Sequence, residues 1–257
     1  MLKTKINVDI NSFPKQLAHL LENAGVYDSS SRSNAKVYYL DTGYYIKVDK
    51  RGELEREAFF ARMFHKMGLG VEVIEYISLD KDYLVTREAI GTDLTHCLDT
   101  PEKICEILAF SLRKLHAQPI NKVPVASVHQ RFIDSANGSF DGGYYDESVL
   151  MDRYKVNSKE EAWSIMQDNK KLLVADTLIH GDPCLPNVIQ NDSKFSVFID
   201  FNMSGVGDKH IDLYWAIWSL QYNLKTEAYT DLFLDLYGRE NFNEKMLLVV
   251  AAFELFG

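Results

Sequence analysis

Residues 178–200 constrain this chain more than any other stretch. They run Leu178-Ile179-His180-Gly181-Asp182-Pro183-Cys184-Leu185-Pro186-Asn187-Val188-Ile189, then Gln190-Asn191-Asp192-Ser193-Lys194, then Phe195-Ser196-Val197-Phe198-Ile199-Asp200. Two short apolar runs flank a polar loop, and a turn separates Val188-Ile189 from Val197-Phe198-Ile199, which predicts a hairpin. Such a hairpin brings Asp182, Asn187 and Asp200 to one edge. Two carboxylates and one amide oxygen there suit a hard cation such as Mg²⁺, which prefers oxygen ligands and retains waters and phosphates. A lone Asp in a turn is ordinarily a turn or capping residue. The spacing is what carries information: His-Gly-Asp, Asn five positions after the Asp, and Ile-Asp thirteen positions after that.

One carboxylate of this set can instead orient an attacking hydroxyl and accept its proton while the other two residues hold metal. That division of labour is the template of phosphoryl transfer. The template also needs a cation on the nucleotide phosphates and an acid that positions it, and the N-terminal region supplies both. Lys36-Val37-Tyr38-Tyr39-Leu40 and Tyr44-Tyr45-Ile46-Lys47-Val48 read as two strands around Asp41-Thr42-Gly43. Glu53 to Met67 reads as a helix ended by Gly68, with Leu54, Ala58, Ala61 and Phe64/His65 near one face. Lys47 on the strand and Glu57 on the helix match the expected ion-pair layout. Val71–Ile77 and Asp82–Thr86 are further strand candidates.

After Gly91 the pattern becomes mostly helical. Thr100 is an N-cap candidate ahead of Pro101, a favoured first-turn residue. Ile104, Ile107, Leu108, Leu112 and Leu115 form a core-facing stripe. Asn137 to Ser148, rich in turn residues and carboxylates, reads as an exposed loop. Helices return from Ser158 and again from Ile211. Strands plus one helix, then mainly helices, predict an α+β protein of two lobes.

Composition narrows the function classes. The net charge of −9 disfavours a nucleic-acid partner and is compatible with a cationic substrate, or with solubility alone. No apolar stretch of about 18 residues predicts a membrane span, and the start lacks the apolar core of a secretion signal. Three cysteines, Cys97, Cys105 and Cys184, lack metal-ligand spacing and read as free thiols in a reducing cytoplasm.

His180-Gly181-Asp182-Pro183-Cys184-Leu185-Pro186-Asn187 resembles the catalytic loop of the aminoglycoside 3′-phosphotransferases, and Ile199-Asp200, Ser204-Gly205, Asp208-Lys209 and Asp212 resemble the segment that follows it. Ser33-Asn34-Ala35-Lys36-Val37-Tyr38 is similar to that family's nucleotide-loop strand, Leu54-Glu55-Arg56-Glu57 to its helix bearing the lysine partner, and Glu254-Leu255-Phe256 to its C-terminus. The resemblance covers nearly the whole chain, least clearly residues 117–160. It implies a protein-kinase-like fold, with a small β-rich N-terminal lobe (1–89), a mainly helical C-terminal lobe (90–257) and ATP or GTP between them. By position Asp182 would be the catalytic base, Asn187 and Asp200 the Mg²⁺ ligands, and Lys47 the contact to the α/β-phosphates with Glu57 as its partner. Ser33 would touch phosphate, Tyr45 would stack on adenine or else be a strand aromatic of the core, and backbone groups near Arg87 and Ala89 would meet the base. His180 would prop the loop, and Asp212 would be an N-cap or a brace on it.

The resemblance weakens in the acceptor pocket. Met203 and Trp218 stand where that family usually has arginines, Tyr222 and Asn223 where it often has carboxylates, and Phe253 where an acid precedes Glu254. Asp146, Glu147, Asp152 and Glu254 remain as acids for a cationic acceptor, or as solvated surface charge. The expected activity is phosphorylation of an aminoglycoside hydroxyl, giving antibiotic resistance, by a cytoplasmic monomer or homodimer without nucleic-acid or membrane partners. The alternatives are a kinase of another small alcohol, a catalytically silent nucleotide-binding relative, and a metal-dependent hydrolase, which leaves Lys47 and Glu57 unexplained.

Overall fold

A computed structural model describes residues 3–30, 35–121, 123 and 128–257. Contacts divide the chain into two compact units, residues 1–92 with 196–202, and residues 93–195 with 203–257.

The first unit is a six-stranded antiparallel sheet. Its strands are β1 (Thr4–Ile6), β2 (Val26–Asp28), β3 (Lys36–Leu40), β4 (Tyr44–Lys50), β5 (Val73–Ser78) and β6 (Lys81–Arg87), in the order β1-β2-β3-β4-β6-β5. The expected β3–β4 hairpin forms, with Gly43 at φ 88° in its turn, a conformation open to glycine at little cost. Side-chain alternation gives the sheet two different faces. Ile46, Leu40, Val26, Tyr83 and Val85 pack with Phe13, Leu17 and Leu21, the last in the short helix α1 (Ala18–Leu21). The opposite face carries Tyr45, Lys47 and Leu84, because Lys47 pairs with Leu84 across β4 and β6. Helix α2 (Glu55–Lys66) lies on that second face through Ala58, which packs with Leu54 and Leu84. Its N-terminus is tied to the sheet by the buried Asp82, whose Oδ2 accepts the backbone N–H of Gly52 at 2.8 Å and of Leu54 at 3.0 Å.

The two-residue strand β7 (Thr92–Asp93) falls where the chain passes from the first unit to the second, which is built around helices α3 (Pro101–His116), α4 (Val128–Asp141), α5 (Lys159–Asn169), α6 (Lys209–Leu224), α7 (Thr230–Tyr237) and α8 (Glu244–Glu254). The α3 stripe is buried as expected: Ile104, Leu108, Leu112 and Leu115 are inaccessible. Thr100 takes the N-cap position without capping, since its hydroxyl donates to the Cys97 carbonyl instead. The expected loop from Asn137 is in part helix, because α4 runs to Asp141. Packing overrides the local turn propensity there: Ala136 is buried and Phe140 stacks on Trp163, with centroids 3.8 Å apart. The short strands β8 (Thr177–Ile179) and β11 (Gly205–Gly207) pair antiparallel, while β9 (Val188–Asn191) and β10 (Lys194–Phe198) flank the turn at Asp192-Ser193. Among the described residues no helix is long and apolar enough to cross a membrane.

Candidate active site

In the first unit the polar face of β4 meets α2. Lys47 Nζ donates to Glu57 Oε2 at 2.8 Å and to Asp200 Oδ1 at 3.2 Å. Asp200 arrives there because 196–202 is stitched to the sheet unit. Phe198 donates its N–H to the Leu69 carbonyl at 2.7 Å, the Phe64 and Phe201 rings lie 4.7 Å apart, and Arg56 Nε donates to the Asn202 carbonyl at 3.1 Å. Asp200 itself has φ 63°, the left-handed region that costs a residue bearing a Cβ about 1 kcal/mol or more. Burial opposes charge on Lys47, but the carboxylates of Glu57 and Asp200 outweigh it and raise the ammonium's pKa, so it stays charged. Burial pushes the Glu57 carboxyl upward while Lys47 pulls it down.

In the second unit the loop 180–187 is fixed mainly through backbone donors. Asp212, wholly buried, accepts the N–H of His180 at 2.8 Å and of Gly181 at 2.7 Å, and its Oδ2 also faces His116 Nε2 at 3.0 Å. Asp212 is therefore the brace on the loop; the N-cap of α6 is Asp208, which accepts the N–H of His210. His180 is buried with its Nδ1 facing the Asp182 N–H at 3.3 Å, and its carbonyl accepts the Ser204 hydroxyl at 2.9 Å. Gly181 has φ 86°, and a Cβ on it would collide with the Met203 carbonyl, so only glycine suits this turn. The Leu185 N–H donates to Ser219 Oγ at 2.9 Å. Asn187 donates through Nδ2 to the Asp182 carbonyl at 3.0 Å and to Asp182 Oδ2 at 2.9 Å. These bonds leave Oδ1 as the atom Asn187 offers to a cation.

The other residues singled out in the sequence fall in different surroundings. Tyr45 is half-buried, with its ring 5.0 Å from that of Tyr39 and Lys3 Nζ 5.3 Å from its centroid. It lies on the Lys47 face of the sheet, opposite the apolar core cluster. The Arg87 N–H is taken by the Glu72 carbonyl. Ser33 lies outside the described residues. Asp146 caps the short turn of helix at Glu147–Val149 by accepting the Ser148 N–H, and hydrogen bonds from the Ser148 hydroxyl and then from that N–H hold its carboxyl below the usual range. Its own N–H reaches the Leu255 carbonyl at 2.8 Å, which sets it next to the terminal segment bearing Glu254. Asp152 is exposed in a turn.

Glu254 is 7% exposed and accepts the Trp215 indole N–H at 2.8 Å. Burial, with a smaller push from the charge of Asp182, raises its carboxyl to about 8. A proton kept in the folded state but released from the unfolded chain, where a Glu titrates near about 4.3, stabilises the fold fully below that value. The contribution is lost as pH rises through about 8. Glu254→Gln should accordingly match the parent's melting temperature near about pH 5 and exceed it near about pH 9, as scanning calorimetry would show; equal melting temperatures at both would refute the shift. The sequence had offered no sign of Trp215, Ser219 or His116, and had noted Ser204 only within the resemblance; each supports the loop or its neighbours through contacts remote in the chain.

A charged lysine paired with a helix acid, an aspartate beside that lysine, and a braced Asp–Asn loop define the parts of a kinase-type phosphotransferase. The chain belongs to the phosphotransferase enzyme family, whose model matches residues 27–245. It is 37% identical over 260 residues to a probable aminoglycoside 3′-phosphotransferase of Lactococcus lactis subsp. lactis, covering 98% of both chains. Among solved structures it is similar to an aminoglycoside phosphotransferase of Streptomyces rimosus, with a TM-score of 0.79 at 18% identity over 97% of this chain and 99% of that one. A structure of that enzyme in complex with ADP and streptomycin matches over the same shares with a TM-score of 0.77 at 17% identity. The fold is thus protein-kinase-like, and the chain is an enzyme that transfers phosphate to a hydroxyl group.

Proposed function

We propose that this phosphotransferase moves the γ-phosphate of ATP or GTP to a hydroxyl of an aminoglycoside, a reaction that would confer resistance to the antibiotic. The observation that carries the reading is the braced loop, in which Asp212 fixes the backbone of 180–181 and Asn187 fixes the carboxylate of Asp182. A carboxylate so oriented accepts the proton of the acceptor hydroxyl as its oxygen bonds to the γ-phosphorus and the bond to the nucleoside diphosphate breaks. Lys47, kept charged by Glu57 and Asp200, binds the nucleotide phosphates. The 37%-identical relative named as a probable aminoglycoside 3′-phosphotransferase supports the acceptor class, and the ADP-containing neighbour supports the donor.

The donor atoms also suit magnesium. Among the described residues no group of three or more His, Cys, Asp or Glu forms a metal cage. Mg²⁺ in kinase sites needs none, since one or two protein oxygens plus phosphates suffice. Asn187 Oδ1 and the Asp200 carboxylate are the oxygens we assign to it, and the ion would neutralise charge on the phosphate oxygens.

A coupled assay of ADP or GDP release with Mg²⁺, either nucleotide, and kanamycin, neomycin or no acceptor tests the proposal. Acceptor-dependent release is expected. Release unaffected by either antibiotic, with nucleotide binding shown separately, would overturn the acceptor class and leave a kinase of another small alcohol.

A further inference from the structure

Helix α2 begins without a capping side chain of its own. Leu54 holds the N-cap position, its carbonyl accepting the Ala58 N–H at 2.9 Å, and its side chain makes no capping bond, where Ser, Thr, Asp or Asn is the usual choice. Three residues on stands Glu57, at the position from which an acid ordinarily reaches back to the N–H of the N-cap residue. Its carboxylate is turned elsewhere. Asp82 Oδ2 takes the Leu54 N–H at 3.0 Å, and Glu57 Oε2 accepts from Lys47 Nζ at 2.8 Å.

The strand that supplies Asp82 also places Lys47. On β6, Asp82 and Leu84 share a face and lie about 7 Å apart. Leu84 pairs with Lys47 across β4 and packs on Leu54 and Ala58. Asp82 is wholly buried, and the residue opposite it on β4 is another acid, Asp49. Like charges directly opposite destabilise a sheet, so packing alone does not account for a carboxylate here. What holds it is a set of donors: the Gly52 N–H at 2.8 Å, the Leu54 N–H, and the Tyr76 hydroxyl at 3.0 Å. Burial disfavours its charge, but hydrogen bonds from Ser78, Leu54, Tyr76 and Gly52 outweigh that and keep the carboxyl below the usual range.

We propose that Asp82 is a positioning residue for nucleotide binding: by taking the Leu54 N–H it relieves Glu57 of the helix terminus and leaves that carboxylate to Lys47. The inference rests on the reading of Lys47 as the contact to the nucleotide phosphates. Without Asp82 the N–H groups of Gly52 and Leu54 lose their acceptor, and a buried donor left unpaired is strongly disfavoured. Glu57, one helical turn away, is built to satisfy one of them. A Glu57 carboxylate turned back to Leu54 leaves Lys47 with Asp200 as its partner, and the ammonium then leans to one side instead of being held between two acids. The helix end keeps a cap, and the phosphate contact loses its place.

Calorimetric titration of ADP with Mg²⁺, at a temperature where each variant is folded, tests this. Asp82→Ala should weaken ADP binding by about tenfold or more. Asp82→Asn, which keeps an oxygen for the Gly52 and Leu54 N–H groups, should hold Kd within about threefold of the parent. The signature is non-additivity: in a Glu57→Gln background, Asp82→Ala should change Kd by less than about twofold, because the carboxylate it acts through is gone. Asp82→Ser, whose hydroxyl is too short to serve both N–H groups, gives the same comparison if the alanine variant does not fold. An Asp82 that serves only the fold would lower the melting temperature and leave the Kd of the folded variant unchanged, and that result would overturn the inference. Losses that multiply in full in the double variant would do the same. A parent that binds neither ADP nor GDP, or that binds equally well after Lys47→Met, would overturn the reading of Lys47 as the phosphate contact, and this inference with it.

Discussion

Asp182→Ala should lower acceptor-dependent phosphate transfer by about 10²–10⁴-fold while nucleotide still binds. The loss is specific because the loop does not depend on this side chain for its shape. Asp212 holds the N–H groups of His180 and Gly181, Ser219 holds that of Leu185, and one of the two Asn187 bonds goes to the Asp182 backbone carbonyl. Removing the carboxylate leaves those anchors and takes away the proton acceptor, the bond from Asn187 and the contact with the Cys184 thiol. Asp182→Asn sharpens the test, since it keeps the side-chain shape and an acceptor for Asn187 but not the charge. Both variants should melt close to the parent and bind nucleotide with little change. Turnover within about tenfold of the parent in Asp182→Asn would remove this residue from the base role.

Local patterns made much of this molecule legible. The β3–β4 hairpin follows from β-branched and aromatic residues around Gly43, and α3 from Pro101 and an apolar stripe that is buried throughout. The Lys47–Glu57 pair was readable because strand and helix periodicity each fix a face, and those faces meet. Long-range packing was not readable. Nothing local says that Asn137–Asp141 is helical, since the ring of Trp163 that stabilises it lies more than twenty residues on. Nor does a stretch of chain announce that 196–202 packs with the first unit, a choice made by Phe64, Leu69 and Arg56. The ambiguity over Asp212 had the same origin. An Asp in the first turn of a helix looks like a cap, and only the backbone of 180–181, some thirty residues earlier, reveals it as the brace.

Lys47→Met should abolish efficient use of nucleotide and also destabilise the protein, and the two losses can be separated. The Glu57 side chain is only 6% exposed, whereas that of Asp200 is 48% exposed. When the ammonium is removed, water can take its place beside Asp200 but not beside Glu57. A buried carboxylate stripped of its partner costs about 3–5 kcal/mol, so the urea midpoint should fall markedly. Adding Glu57→Gln removes the stranded charge, and the double variant should recover most of that stability. It should recover none of the turnover, because no cation remains for the phosphates, and kcat/KM for nucleotide should stay lower than the parent's by about 10²-fold or more. A double variant as unstable as the single one would show that the stability loss comes from lost packing of the lysine stem rather than from charge. A double variant that regains turnover would show that Lys47 serves the fold and not the nucleotide.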